Sequence, residues 1–237
     1  TIEAAVLQHV EELIGLVPNM NYSGDGSRAR YFQLRGIGEL EQYEGTPNPS
    51  IGFILDDIDL SGIGGISSVF DLQQAEVLRG PQGTLHGANA LAGLINIRTG
   101  QPQAEPGLRV EAMAADYGTW STGIVGTGPL VSDKLLYRLA VSTYQSDGFT
   151  DNDYLGRDDT NERDETSVRG KLRWLAGERH SLDLTAMYVD IDNGYDAFSL
   201  DNTRHTLSDE PGQDRLETTA LGLQWSSELD ALSLEAA

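Results

Sequence analysis

The 237-residue sequence contains no cysteine, which removes disulfides, thiolate catalysis and cysteine-ligated metal centres together. It also lacks any run approaching the roughly 18 continuous apolar residues of a membrane helix, so a bilayer could be crossed only by strands. Basic residues are scarce: 16 Lys and Arg stand against 37 Asp and Glu, a formal charge of −21. Nucleic acid is thereby excluded as a partner, because phosphates need cationic contacts. The start, Thr1-Ile2-Glu3-Ala4-Ala5, has neither a basic nor an apolar leader region, so any export signal is already removed or never existed.

Catalytic fingerprints are missing too. There is no Gly-x-Ser-x-Gly elbow and no phosphate-binding loop, and Gly36-Ile37-Gly38 lacks the third glycine of a dinucleotide site. The histidines His9, His86, His180 and His205 show no ligand spacing. No enzyme activity and no cofactor are expected.

What is present is a chain that is 39% apolar, enough to build a core of ordinary size. Up to about residue 103 it reads as a small α+β domain. Ala5, Val6, Val10, Leu13 and Ile14 recur at helical intervals, predicting a helix over 4–16 that Pro18-Asn19 stops. Tyr31 to Arg35 and Ile51 to Asp57 read as strands that could pair; Val69 to Val77 has helical spacing, and Ala92 to Thr99 reads as a last strand. The Pro and glycines of Arg79-Gly80-Pro81-Gln82-Gly83 suit a rigid loop.

After Pro106 the period becomes two. Val168, Leu172 and Trp174 share one face with Gly170, while Ser167, Arg169, Lys171 and Arg173 share the other. The same test puts Leu135, Tyr137, Leu139 and Val141 outward with Arg138 and Ala140 inward; it sets Leu182, Leu184, Ala186 and Tyr188 against Asp183 and Thr185, and Leu221, Leu223 and Trp225 against Ala220 and Gly222. Tight connections near Gly128 to Asp133 and Ala176 to Glu178 alternate with two long acidic segments, Asp147 to Glu165 and Asp190 to Glu217. Each segment carries eight acids and two arginines, so together they hold −12 of the −21. Outer-membrane barrels show this alternation of short turns and long loops. Period alone leaves a soluble β-sandwich open.

The stretch from Asp71 to Ile97, with Glu76-Val77-Leu78-Arg79-Gly80-Pro81-Gln82-Gly83-Thr84 at its centre, decides the matter. It resembles the plug signature of TonB-dependent outer-membrane receptors. Arg35-Gly36-Ile37-Gly38 and Ile54-Leu55-Asp56-Asp57 stand where that family has its earlier plug motifs. Gly148-Phe149, Asn161 to Asp164 and Asp192 to Phe198 resemble its barrel more loosely. The resemblance implies an α+β plug domain over 1–104, followed over 105–237 by antiparallel transmembrane β-barrel strands. About seven strands are expected, too few to close around a plug, against about twenty-two in the complete barrels. The chain is therefore expected to be a fragment, with the N-terminal coupling box and the later strands outside it.

The resemblance further implies uptake of a small-molecule ligand across the outer membrane of a Gram-negative bacterium, driven by a TonB-type energy-coupling protein. An iron chelate is the leading substrate, with an oligosaccharide or cobalamin as alternatives. The rival is a binding module that transports nothing. Arg35, Glu76 and Arg79 match motif positions that pair with the barrel wall, or they merely tie their own loops. His86, Tyr43 and Tyr195 are ligand-path candidates, although a backbone-bonded loop histidine and aromatic girdles or core would look the same. Asp151, Asp153 and Glu162 have the spacing of a calcium loop with Gly156 at its sixth position, but Leu155 stands where an oxygen ligand is needed. A solvated acidic loop is the simpler reading, and such loops favour neutral or cationic ligands.

Overall fold

The computed structural model describes residues 7–24, 26–40, 49–63, 68–83, 89–177, 179–229 and 232–236. Helix α1, Val10–Ile14, is much shorter than the helical spacing predicts. It starts at His9, where the Glu12 carboxylate accepts the backbone N–H groups of Gln8 and His9, and the turn before Pro18 ends it. The expected residues 4–6 lie outside the described range.

Strands β1, Met20–Ser23, and β2, Tyr31–Leu34, form an antiparallel pair. A second sheet contains β3, Ile51–Leu55; β4, Ile58–Asp59; β5, Leu72–Arg79; and β6, Gly93–Thr99, in the order β4-β3-β6-β5. Two expectations are corrected here. The 31–35 and 51–57 strands do not pair: β1, which the sequence reading missed, takes β2, while β6 lies parallel to β3. Val69 to Val77 is not helical either, because β6 offers its hydrogen-bonding edge and β5 pairs with it. The false signal has a local cause. A register shift between Leu72 and Gln74 lets Leu72, Ala75 and Val77 all pack on the core, and that spacing imitates a helix.

The remaining strands are β7, Gly107–Ala114; β8, Trp120–Val131; β9, Leu135–Ser146; β10, Asp151–Asn152; β11, Arg163–Leu175; β12, His180–Tyr195; β13, His205–Thr206; β14, Gly212–Leu229; and β15, Leu232–Ala236. Seven of them form one antiparallel sheet, β15-β14-β12-β11-β9-β8-β7, which among the described residues does not close on itself. The short β10 and β13 pair with each other, in parallel, between the long loops.

The inferred parity is the one observed. Leu139, Leu172, Trp174, Leu184, Leu221, Leu223 and Trp225 are exposed on the outer face, whereas Leu136, Ala140, Ser142, Arg169 and Lys171 are buried on the inner. Leu182 to Tyr188 cover roughly 20 Å of strand at about 3.3 Å per residue, which at the usual tilt of about 40° spans part of the apolar band of about 25 Å in such barrels. Nearer the long loops the chemistry reverses. Met187, Val189 and Ile191 of β12 point inward into the core formed by Val10, Phe32, Phe53 and Ile97, and the outward side chains become Asp190, Asp192 and Glu217.

Candidate functional site

The seam between the N-terminal domain and the inner face of the wall is where the charged side chains gather. Inward parity puts cations into an interior, where an unpaired charge costs several kcal/mol or more. Acids on the N-terminal domain meet them. Asp71, only 7% exposed, accepts Nε–H of Arg138 at 2.9 Å and a second bond from Nη2 of the same guanidinium, with Arg109 at 3.4 Å. Asp56 accepts Nζ of Lys171 at 2.8 Å, the Thr99 amide at 2.9 Å and the Thr99 hydroxyl at 2.6 Å. Arg169, between them on β11, donates to the carbonyl of Phe70. Both acids sit on turns with left-handed backbone, φ 62° at Asp71 and 49° at Asp56, a conformation that Asp tolerates better than most residues.

Toward the long loops the polarity of the seam inverts. Now the N-terminal domain supplies the cation and the wall the acid. Arg28 grips Asp214 through Nη2 at 2.7 Å and Nε at 3.1 Å, and the amide and hydroxyl of Ser27 add donors at 2.9 and 3.0 Å. His9 Nε2 lies 3.1 Å from Glu165, which also accepts Asn193 Nδ2 at 2.9 Å. The His9 ring stands edge-on to Tyr144 at 4.7 Å. A wall mainly basic at its tight-turn end and mainly acidic at its loop end favours one orientation of the domain. Buried pairs of this kind add little net stability over apolar packing and act mainly on register.

Shape contributes as well. Gly123 of β8 faces the Phe70 ring so closely that a Cβ there would lie 2.5 Å from it, and Arg109 stacks over the same ring at 5.3 Å. The Asp56-Asp57-Ile58-Asp59 turn borders a polar cavity of about 620 Å³ shared with Lys171, Arg173 and Asp183. Asp59 is held below the usual carboxylate range: partial burial pushes it up, but the side chain and amide of Ser61 and the side chain of Asn89 outweigh that.

Among the described residues, other side chains than Arg35, Glu76 and Arg79 make these seam contacts. Arg35 is exposed on a left-handed turn, φ 55°. Glu76 accepts from Gln74 at 2.7 Å, and exposed Arg79 reaches the carbonyl of Pro18 at 3.4 Å. Tyr195 is half-buried beside Phe198, ring centroids 6.0 Å apart, at the root of a long loop. Tyr43 and His86 lie outside the described residues. The weak calcium-loop candidate gains no geometric support: among the described residues no three carboxylate or imidazole side chains gather around one point. Asp153 turns instead to His205, 3.2 Å away, because β10 and β13 pair there. The seam residues were legible in one respect. Arg138, Arg169 and Lys171 fell on the inward parity, and an inward cation requires an acid opposite.

A plug-like domain docked on the inner face of a lipid-type strand wall defines a class, and the family comparison agrees. Residues 1–94 match the TonB-dependent Receptor Plug Domain. Over those residues the chain carries the plug domain of TonB-dependent receptors, which are outer-membrane proteins of Gram-negative bacteria. The pesticin receptor of Yersinia enterocolitica is 30% identical over 151 residues, which are 63% of this chain and 22% of that relative. The metal-pseudopaline receptor CntO of Pseudomonas aeruginosa is 32% identical over 81 residues, 34% of this chain and 11% of that one. Among solved structures, the ferric yersiniabactin uptake receptor FyuA of Yersinia pestis superposes with a TM-score of 0.83 at 22% identity, covering 97% of this chain and 37% of that chain. The ferric-catecholate import receptor Fiu of E. coli K12 gives 0.72 at 18% identity. The structural likenesses establish the fold, and the chain spans about a fifth of the first of these relatives.

Proposed function

We propose that this chain is the plug and first wall strands of a receptor that imports an iron chelate by energy-coupled displacement of the plug. The observation that carries the reading is the seam: the plug is held by discrete charge pairs whose polarity reverses along the wall. Such a seat is well suited to release and return in the same register. The names of relatives that take up ferric chelates support the substrate class. Loops with a large acidic excess favour a chelate that is neutral or cationic overall. Arg35, Glu76 and Arg79 are assigned to contacts with wall strands beyond residue 237, and Tyr43, His86 and Tyr195 to the ligand path. A TonB-type protein is assigned the energy coupling.

The test is uptake of iron-55, supplied with the chelates in spent medium of the iron-starved source bacterium, by cells carrying the full-length gene. Saturable uptake that disappears when the energy-coupling protein is deleted supports the reading. Binding without accumulation, or accumulation that persists in the deletion strain, contradicts it.

A further inference from the structure

The loops after β9 and β12 are not independent. They are separated in sequence by the whole β11–β12 hairpin, yet one carboxyl oxygen joins them. Asp196, 3% exposed, accepts on its Oδ2 three hydrogen bonds of 2.8 Å each. The donors are Asn152 Nδ2 and Thr160 Oγ1 from the first loop and Thr206 Oγ1 from the second. Asn152, Thr160 and Thr206 are themselves at most 4% exposed. Asn152 also donates to the Ser208 carbonyl at 2.9 Å and accepts the Leu155 amide at 2.9 Å. The backbones continue the join: Asp151 N–H donates to Arg204 O, and Asp153 N–H to Thr206 O. Gly194 is pressed so closely on Thr160 that a Cβ would meet its carbonyl oxygen at 2.6 Å.

A buried acceptor surrounded by neutral donors is costly to leave half-satisfied, because each orphaned donor retains its desolvation penalty. Opening either loop alone would orphan the groups of the other. We infer that Asp196 is a positioning residue that makes the 147–162 and 196–211 loops one rigid ligand-receiving body. Phe149, Tyr154, Phe198, Leu200 and Leu207, all exposed, are carried on that body in a fixed relation. The consequence for ligand capture rests on the uptake reading; the joining of the loops does not.

The experiment uses full-length receptor in outer-membrane preparations, with nitroxide labels on Tyr154→Cys and Leu207→Cys, one per loop. The parent is expected to give a single narrow label-to-label distance distribution. Asp196→Ala is expected to broaden it, and protease cleavage in both loops to rise together by about tenfold or more. Asp196→Asn, which keeps an acceptor oxygen, is expected to restore both. Thr160→Val and Thr206→Val are expected to give intermediate effects, and heat-modifiable gel mobility reports that the barrel remains folded in every variant. In iron-55 uptake, Asp196→Ala is expected to raise the half-saturating concentration about tenfold while leaving the maximal rate unchanged. A distribution in Asp196→Ala as narrow as the parent's, or cleavage confined to one loop, overturns the inference. If the parent accumulates no iron, the uptake reading fails while the label distances still decide the role of Asp196.

Discussion

Asp71 of the plug and Arg138 of β9 form a two-point ion pair, with Nε–H donating at 2.9 Å to one carboxylate oxygen and Nη2 to the other. The carboxylate is 5% exposed and the guanidinium 14%. Gly100, which accepts no side chain beside that guanidinium, brings the plug backbone against it, and its N–H donates to the Asp71 carbonyl. One residue thus holds the plug's exit strand and its wall together.

Removing the acid leaves a cation without its partner. Asp71→Ala is expected to weaken plug seating by about 3–5 kcal/mol, read as faster hydrogen exchange in the 93–99 segment of the full-length receptor. Unchanged exchange there would show that Arg138 finds adequate water without the plug.

Lys171 and Asp56 form the second pair, at 2.8 Å with both side chains at most 7% exposed. Lys171→Met alone and Asp56→Asn alone are each expected to destabilise seating, and the double variant to lose less than the sum. The coupling should fall within about 0.5–3 kcal/mol. Strict additivity in the same exchange assay would mean that the two side chains do not act as a pair.

The close approach of Gly123 to Phe70 gives a steric counterpart. Gly123→Ala is expected to cost about 1–3 kcal/mol of seating through overpacking, and Phe70→Leu in the same chain to recover part of it. Failure of the second change to help would place the strain elsewhere.

On the outer face, Leu223→Arg, at a position 58% exposed, is expected to lower folding stability in lipid vesicles by about 2–4 kcal/mol if it lies near the midplane. Gln224→Arg, one residue along and bordering the polar cavity, should change it far less. Folding yield across a urea series in vesicles checks both.

The strands were legible because the period of two carries its own burial information: Val168, Leu172 and Trp174 could only share a face, and it took the plug motif of Asp71 to Ile97, not the period, to turn that face toward lipid rather than into a sandwich. Plug strands were less legible. The parallel placement of β6 beside β3 depends on contacts distant in sequence, and the irregularity at Leu72 and Gln74 disguised β5 as a helix. The seam was half legible, since parity marks the wall cations but cannot say which plug acid each will meet. Asp196 lay inside the loosely matching run Asp192 to Phe198, but nothing in the sequence foretold its role, because a loop aspartate bonded to three separated donors looks like any other acid in an acidic segment.

The claim beneath all of this is that the strand tract is a membrane wall with its plug on the inner side. The most direct measurement places a bimane label, one at a time, at Leu172, Trp174, Leu184 and Leu223, and at Arg173, Asp183 and Gln224, in full-length receptor reconstituted with doxyl-labelled lipids. Strong quenching at the first four positions and little at the other three is the expected result. Equal quenching in both sets, or the reverse pattern, would contradict the wall.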